Sequence, residues 1–469
     1  MLNRQKNFSQ RKLRIISLVL TILVFTVSIP SFAFAQEDFS LKSEFTFDGK
    51  SLAEYASVEG KPEIVGYSAY AVNLNSGTVV YEKNSLDAVY PASTVKLMTA
   101  IVAYENIPDL DVEITANQSA VSKAQGSNMA IKAGETLTAR ELFYGLLVRG
   151  ANDAALVLAE YVAGSEKDFC SLMNEKAKEI GATGTVFENV TGFHEENMVT
   201  TARDIGRIAG YLYYIPELFD MTNTTRYVVE PTEKTNEKRT LINRNMLLSR
   251  VISEDYYYSA AKGMSLGSTP EGGHCGVSTV TSRDGMTYLC VVMNSKETDG
   301  VNYACKDLVS MFRFCTDNFS YQAVASKQDV MCEMPVKNAV DVDHIALFPD
   351  ADIKMLLPNN MEYGKDITLE KRLYEKSAAA PVNRSDVFGE VVVKYKGQAA
   401  IGRARLVSGV AVDRSNVLYF LSRIENIITG TWFTVFAVTA VILFAVYFGL
   451  SVYYRYFRKG KYSRSRRKK

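Results

Sequence analysis

The 469-residue sequence lacks the cysteine patterns that usually mark metal and redox sites. No two cysteines form a CxxC pair or stand at metal-ligand spacing. Internal repeats and long low-complexity segments are also missing. We therefore interpret the cysteines mainly as small buried residues, with their pairing left open. The six cysteines are Cys170, Cys275, Cys290, Cys305, Cys315 and Cys332.

Acidic residues are absent from both ends of the chain. Residues 1–35 contain five basic residues, and residues 431–469 contain nine. When these fourteen are set aside, the 53 Lys and Arg of the chain fall to 39, against 52 Asp and Glu. The middle of the chain is therefore acidic. An acidic body argues against nucleic acid as the main ligand.

The N-terminal segment has the three parts of a secretory signal. A basic stretch ends at Arg14, an apolar run follows over 15–29, and Ala33-Phe34-Ala35 provides small residues at a cleavage site before Gln36. We interpret residues 1–35 as a signal peptide. An uncleaved anchor helix is the alternative.

The C-terminal segment has the features of a membrane anchor. Trp432 to Tyr454 contains no charged residue and is long enough to cross the hydrocarbon core. Basic residues follow at once, which by the positive-inside rule predicts that this end is cytoplasmic. We expect a transmembrane helix at 431–454, a cytoplasmic tail at 455–469, and the body of the protein outside the cell.

Between these ends, the pattern of residues predicts two domains. Apolar helical segments and hairpin signals, such as Asp284-Gly285, alternate up to about residue 320. Strand-like runs separated by turn residues then predominate, which predicts a small all-β domain. We place the first domain at 36–320, the second at 321–412, and a linker at 413–430.

One segment of the first domain carries a candidate nucleophile. Ser93 and Lys96 stand three residues apart at the start of a predicted apolar helix that follows Pro91, so their side chains share one face. A serine hydroxyl needs a base to take its proton, and a desolvated lysine can act as that base. The spacing alone is weak evidence, because Ser9 and Lys12 show it too.

Several segments, in order, resemble those of D-alanyl-D-alanine carboxypeptidases, the low-molecular-weight penicillin-binding proteins of serine peptidase family S11. The segment around Ser93 resembles their nucleophile motif. Leu146 to Ala155 is similar to their second motif, and Gly263 to Thr269 to their third. Residues 200–204 and 380–407 resemble a further family segment and the small C-terminal β domain.

The resemblance implies an α+β fold of the serine β-lactamase/transpeptidase type, an antiparallel sheet with packed helices. It implies that Ser93 attacks a peptide bond between two D-alanines of a peptidoglycan stem peptide, and that β-lactam antibiotics can acylate it. It implies no metal and no organic cofactor. The implied site residues are Ser93 as nucleophile, Lys96 as general base and Asn152 as a third catalytic residue, with Ser265, Gly267 and Ser268 binding substrate. The backbone N–H groups of Ser93 and Ser268 would form the oxyanion hole.

Two motifs depart from the family pattern. The second motif, Ser-x-Asn, reads Gly150-Ala151-Asn152, and the third, Lys-Thr-Gly, reads Ser265-Leu266-Gly267. The missing lysine and threonine would hold the terminal carboxylate of the substrate. Three neighbours are possible substitutes for the lost groups: Arg149, Lys262 and His274. Strand alternation predicts that Lys262 points away from the site.

These departures leave the activity open between two hypotheses. The first is a working carboxypeptidase with a modified pocket, which trims terminal D-alanine during cell-wall maturation. The second is a catalytically impaired homologue that binds the cell wall or acts as a scaffold. A β-lactamase is a third and weaker alternative, because it would explain neither the C-terminal β domain nor the membrane anchor.

Overall fold

The computed structural model describes residues 44–46, 49–298, 300–362, 364–397 and 400–458. The predicted signal peptide and most of the predicted basic tail lie outside these residues. The helices are α1 (Leu52–Tyr55), α2 (Val95–Asn106), α3 (Gln118–Lys123), α4 (Ala139–Tyr144), α5 (Asn152–Ala163), α6 (Glu166–Glu179), α7 (Ala202–Tyr213), α8 (Pro216–Asn223), α9 (Tyr303–Asn318), α10 (Asn416–Thr429) and α11 (Thr431–Tyr453). The strands of the first part are β1 (Ser68–Asn73), β2 (Val79–Lys83), β3 (Glu113–Thr115), β4 (Thr136–Thr138), β5 (Arg226–Val229), β6 (Arg239–Ile242), β7 (Ala261–Thr269), β8 (Gly273–Thr281), β9 (Thr287–Ser295), β10 (Glu297–Thr298) and β11 (Val301–Asn302). Those of the second part are β12 (Phe319–Ala325), β13 (Cys332–Lys337), β14 (His344–Pro349), β15 (Ile353–Pro358), β16 (Ile367–Leu373), β17 (Ala378–Ala379), β18 (Val387–Tyr395) and β19 (Ala400–Ser408).

A five-stranded antiparallel sheet, in the order β2-β1-β9-β8-β7, organises the first part of the chain. Every residue of β1 is buried, because helices cover both faces of the sheet. Side chains alternate across a strand, so Tyr70 and Val72 enter one core while Ala69 and Ala71 enter the other. The predicted α+β fold, with an antiparallel sheet and packed helices, is confirmed.

The predicted nucleophile helix, α2, lies inside the larger of these two cores. Residues 95–103 are all buried, and apolar side chains occur all around the helix. A helix that is apolar on every side belongs in the interior of a domain. The surrounding elements therefore hold the N-terminal end of α2 in place. They also fix the position of the side chains just before the helix.

The strands after residue 319 form a separate sheet with its own core. Six strands run in the order β16-β18-β19-β14-β13-β17, and β12 pairs with β15. Val391 and Val393 of β18 are completely buried in this core. Hydrogen bonds between the two parts include one from Tyr55 Oη to the carbonyl of Tyr395, at 3.2 Å, and one from Lys396 Nζ to the carbonyl of Ala56, at 3.5 Å.

Most of the predicted linker is helical. Helix α10 begins where Ser415 Oγ accepts a hydrogen bond from the backbone N–H of Leu418, and Gly430 separates α10 from α11. No residue of α11 is buried. Within the described residues, one helix, Thr431–Tyr456, is long and apolar enough to cross a membrane, with a mean hydropathy of 2.4. Five of the six cysteines are buried, and all six are free thiols.

Candidate active site

Ser93 lies in a single 3-10 turn, Ala92–Thr94, that leads directly into α2. Thr94 Oγ1 donates a hydrogen bond of 2.6 Å to the carbonyl of Pro91, which closes this turn. Ser93 is half-buried, whereas both of its neighbours in the turn are buried. The turn therefore presents one hydroxyl at the helix N-terminus, where developing negative charge is favoured.

Two glycines allow backbone to approach this turn closely. A Cβ on Gly267 of β7 would lie 2.3 Å from Ser93 Cβ and 2.8 Å from its Oγ. A Cβ on Gly192 would lie 2.0 Å from the carbonyl oxygen of Ala92, and its φ of +87° also favours glycine. The family resemblance implied that Gly267 binds substrate, and in the structure its strand also passes against Ser93 itself. The contact of Gly192 was missed, because 99 positions separate it from Ser93.

Lys96 lies on the same side of the turn as Ser93, with its Nζ 3.3 Å from Ser93 Oγ. The amine also donates a hydrogen bond to the carbonyl of Thr191, a residue that sequence reasoning missed. Lys96 is only 4% exposed. Burial, together with the positive charge of Arg244, lowers the pKa of Lys96 to about 7. The amine is thus substantially uncharged near neutral pH and within reach of the hydroxyl proton.

The third-motif residues lie along β7, the edge strand of the sheet. Ser265 is half-buried, and its Oγ donates a long hydrogen bond of 3.5 Å to the carbonyl of Ser93. Ser268 is exposed, one residue past the close contact at Gly267. The register of β7 against β8 shifts between Lys262 and Ser265. The side chain of Lys262 is exposed and does not line the pocket at Ser93.

Asn152 is the first residue of α5 and is anchored to a neighbouring loop. Its Nδ2 donates a hydrogen bond of 2.6 Å to the carbonyl of Gln125, and its backbone N–H bonds to the carbonyl of Ser127 at 2.7 Å. Its buried Oδ1 has no hydrogen-bond partner among the described residues. Asn152 is not among the residues that line the pocket around Ser93 and Lys96.

A cation that sequence reasoning missed completes the pocket. Arg244 lines the small pocket around Ser93 and Lys96, together with Gly150 and Ser265. A Cβ on Gly150 would lie 3.5 Å from Arg244 Cδ, so the arginine side chain passes over the glycine. Arg149, the neighbour considered from the sequence, is exposed and does not line the pocket. Within the described part of the chain, no carboxylate lines it either.

Comparison with known proteins assigns this chain to a family. Residues 55–297 match the family model for D-alanyl-D-alanine carboxypeptidase, S11 peptidases. The chain belongs to the D-alanyl-D-alanine carboxypeptidase family. The resemblance recognised in the sequence is thereby confirmed.

Individual relatives of this carboxypeptidase family match over long stretches. The chain is 25% identical over 414 residues to the D-alanyl-D-alanine carboxypeptidase DacF of Bacillus subtilis, covering 87% of this chain and 97% of that protein. It is 32% identical over 255 residues to the D-alanyl-D-alanine carboxypeptidase of a Streptomyces species, covering 51% and 84%. The crystal structure of penicillin-binding protein 5 from Haemophilus influenzae shares the fold, at 22% identity and a TM-score of 0.58, over 76% of this chain and 100% of that one.

The family's second motif has serine where this chain has Gly150, and the backbone conformation of Gly150 explains why glycine is favoured here. Its φ is +67°, in the left-handed region where a β-carbon is unfavourable. A serine at this position would need to adopt that conformation and would stand against Arg244. The departure at the second motif is thus tied to the local backbone and to the arginine above it.

Proposed function

We propose that this protein is a serine-type D-alanyl-D-alanine carboxypeptidase that removes the terminal D-alanine of peptidoglycan stem peptides. The observation that supports it best is the buried Lys96 amine 3.3 Å from Ser93 Oγ, with its pKa lowered to about 7. A hydroxyl paired with an uncharged amine is an activated nucleophile. Relatives that match over most of the chain are named as carboxypeptidases, which favours an enzyme over a silent scaffold.

In the first half-reaction, Lys96 takes the proton of Ser93 as Oγ bonds to the carbonyl carbon of the penultimate D-alanine. The backbone N–H groups of Ser93 and Ser268 are proposed to stabilise the negative oxygen that forms. The C–N bond then breaks, and the Lys96 ammonium returns its proton to the departing amine of the terminal D-alanine. The products are free D-alanine and an ester on Ser93.

In the second half-reaction, water replaces the amine. Lys96, uncharged again, takes a proton from a water molecule as its oxygen attacks the ester carbonyl. The ester bond breaks, Ser93 Oγ regains a proton from Lys96, and the shortened peptide leaves as a carboxylate. A β-lactam would acylate the same oxygen by opening its ring.

The apolar helix α11 indicates where in the cell this activity takes place. We propose that α11 spans the membrane once and that residues after it are cytoplasmic, because basic residues follow the helix directly. The pocket at Ser93 would then face the cell wall, where stem peptides are found. A cleaved signal peptide over residues 1–35 belongs to the same proposal.

The experiment uses the full chain in detergent, incubated with a stem pentapeptide and, separately, with a fluorescent penicillin. We expect D-alanine release and covalent labelling, and the loss of both in Ser93→Ala. A matched control is Ser171→Ala, which removes an exposed hydroxyl from the surface of α6. If the wild-type chain neither releases D-alanine nor becomes labelled, the proposed function is wrong. Activity that persists in Ser93→Ala would place the nucleophile elsewhere.

A further inference from the structure

Arg244 is a cation at the pocket with no partner of its own. Its guanidinium has no hydrogen bond or ion pair within the described ranges, although it lines the pocket beside Lys96 and Ser265. Three buried or half-buried arginines of this domain, in contrast, have carboxylate partners: Arg203 with Glu82, Arg207 with Glu44, and Arg239 with the buried Glu135. Arg244 is exposed and unpaired in the wall of this pocket, so its guanidinium is available to an anionic ligand.

The backbone that carries Arg244 is fixed by the residues on either side of it. Asn243 Nδ2 donates hydrogen bonds to the carbonyls of Thr222 and Thr224, at 3.0 and 2.9 Å. Asn245 Nδ2 donates one to the carbonyl of Gly263 at 2.8 Å. Both asparagines are buried, so Arg244 between them is directed outward from a rigid segment. A cation held in this way needs little reorganisation to bind a ligand.

Two departures from the family motifs fit this position of Arg244. Ser265 stands where the third motif has lysine, so β7 brings no cation to the pocket. Gly150 stands where the second motif has serine, and the arginine side chain passes 3.5 Å from where its Cβ would be. The change to Ser265 removes a positive charge from the pocket, and the change to Gly150 leaves room for the side chain of Arg244.

We propose that Arg244 binds the terminal carboxylate of the peptide substrate, in place of the lysine that β7 lacks. This inference rests on the proposed function. It names the residue that recognises a free carboxylate at the C-terminus of the peptide. A guanidinium can hold a carboxylate through two parallel N–H···O bonds, which orients the scissile bond as well as attracting it. No carboxylate of the described chain competes for it at the pocket.

The first experiment compares two substrates on the full chain in detergent: an acylated D-alanyl-D-alanine peptide and the same peptide with a C-terminal amide. Arg244 is exposed in the free protein, and a bound peptide would cover it. The wild type should therefore prefer the free carboxylate by tens- to a thousand-fold in kcat/KM, the range of a charge pair that is desolvated on binding. In Arg244→Gln this ratio should fall to near one. Arg283→Gln, which removes an exposed arginine from the β8–β9 turn, should keep the wild-type ratio.

A merely structural role for Arg244 would have a different signature. Both peptides would then lose rate equally in Arg244→Gln, and their ratio would remain at the wild-type value. That result, or a wild type with no preference for the carboxylate, would overturn the proposal.

A binding experiment keeps the inference separate from catalysis. In the Ser93→Ala background, calorimetry measures the Kd of the same two peptides. A preference for the free carboxylate that disappears in the Ser93→Ala, Arg244→Gln double variant supports the proposal. Equal affinity for both peptides, or a preference that survives the second substitution, contradicts it. This comparison decides the role of Arg244 even if the wild type releases no D-alanine, an outcome that would refute only the proposed function.

Discussion

Replacing Lys96 with methionine should stabilise the protein while abolishing its reaction with penicillin. Lys96 is 4% exposed. Burial of its methylene groups stabilises the folded state, whereas burial of its charged amine does not. Methionine has a similar length and volume but no charge to desolvate. The substitution therefore tests directly whether the buried amine destabilises the folded state, as a tuned catalytic base is expected to do.

The expected size follows from the pKa of Lys96, which burial and the charge of Arg244 lower from 10.5 to about 7. Below pH 7 the amine is protonated in both the folded and the unfolded chain, and burying the charge costs about 5 kcal/mol. Between about pH 7 and pH 10.5 the unfolded chain holds the extra proton, so stability of the wild type rises with pH. At pH 9 the buried amine still lowers the free energy of unfolding by about 2 kcal/mol.

Methionine also removes the hydrogen bonds of the amine to Ser93 and Thr191, a loss of about 2 kcal/mol in all. The variant should therefore be more stable than the wild type by about 3 kcal/mol at pH 6 and equally stable near pH 9. Urea denaturation followed by circular dichroism gives this difference. Tryptophan fluorescence is unsuitable, because Trp432, the single tryptophan, lies in the apolar C-terminal helix α11, far along the chain from Lys96.

The same pKa should appear in the kinetics of the wild type. Acylation by penicillin needs an uncharged Lys96, so the rate of acylation should rise with pH and level off above about pH 7.

A stability difference between the methionine variant and the wild type that is the same at pH 6 and pH 9 would refute the reasoning. So would a methionine variant that is less stable at pH 6 than at pH 9, relative to the wild type.

Three further predictions concern other parts of the chain. Gly267→Ala puts a Cβ 2.3 Å from Ser93 Cβ, so penicillin labelling should slow by about 100-fold; unchanged labelling would show that β7 can shift. Asp153→Ala deprives the N–H groups of Met129 and Ile131 of a buried acceptor and should lower stability by about 3 kcal/mol in urea denaturation, against less than 1 kcal/mol if water replaces it. A chain that ends at Gly430 should leave the membrane fraction on alkaline carbonate washing, whereas the full chain should remain.

Regular elements with strong local signals were predicted well. The sequence predicted a hairpin around Asp284-Gly285, and the structure has β8 and β9 paired on either side of it. Elements without such signals were not recognised. Helix α9 and strands β13, β14 and β16 went unpredicted, because their polar residues weaken the periodic pattern and tertiary packing decides them.

The candidate site was predicted where its members lie close in sequence. Ser93 and Lys96 are one helical turn apart, so local geometry alone brings the hydroxyl and the amine together. Thr191, Gly192 and Arg244 contact the same turn or line the same pocket, but they come from loops 95 or more positions away. No local rule connects such positions.

The sequence by itself determined the hydrophobic ends of the chain, the α+β pattern of the body and the pairing of Ser93 with Lys96. These depend on composition, on periodicity and on residues a single turn apart. Only the tertiary structure decided the charge state of Lys96 and the cation that stands in for the missing third-motif lysine. Burial and the approach of Arg244 set both, and they arise when distant segments pack around one buried helix.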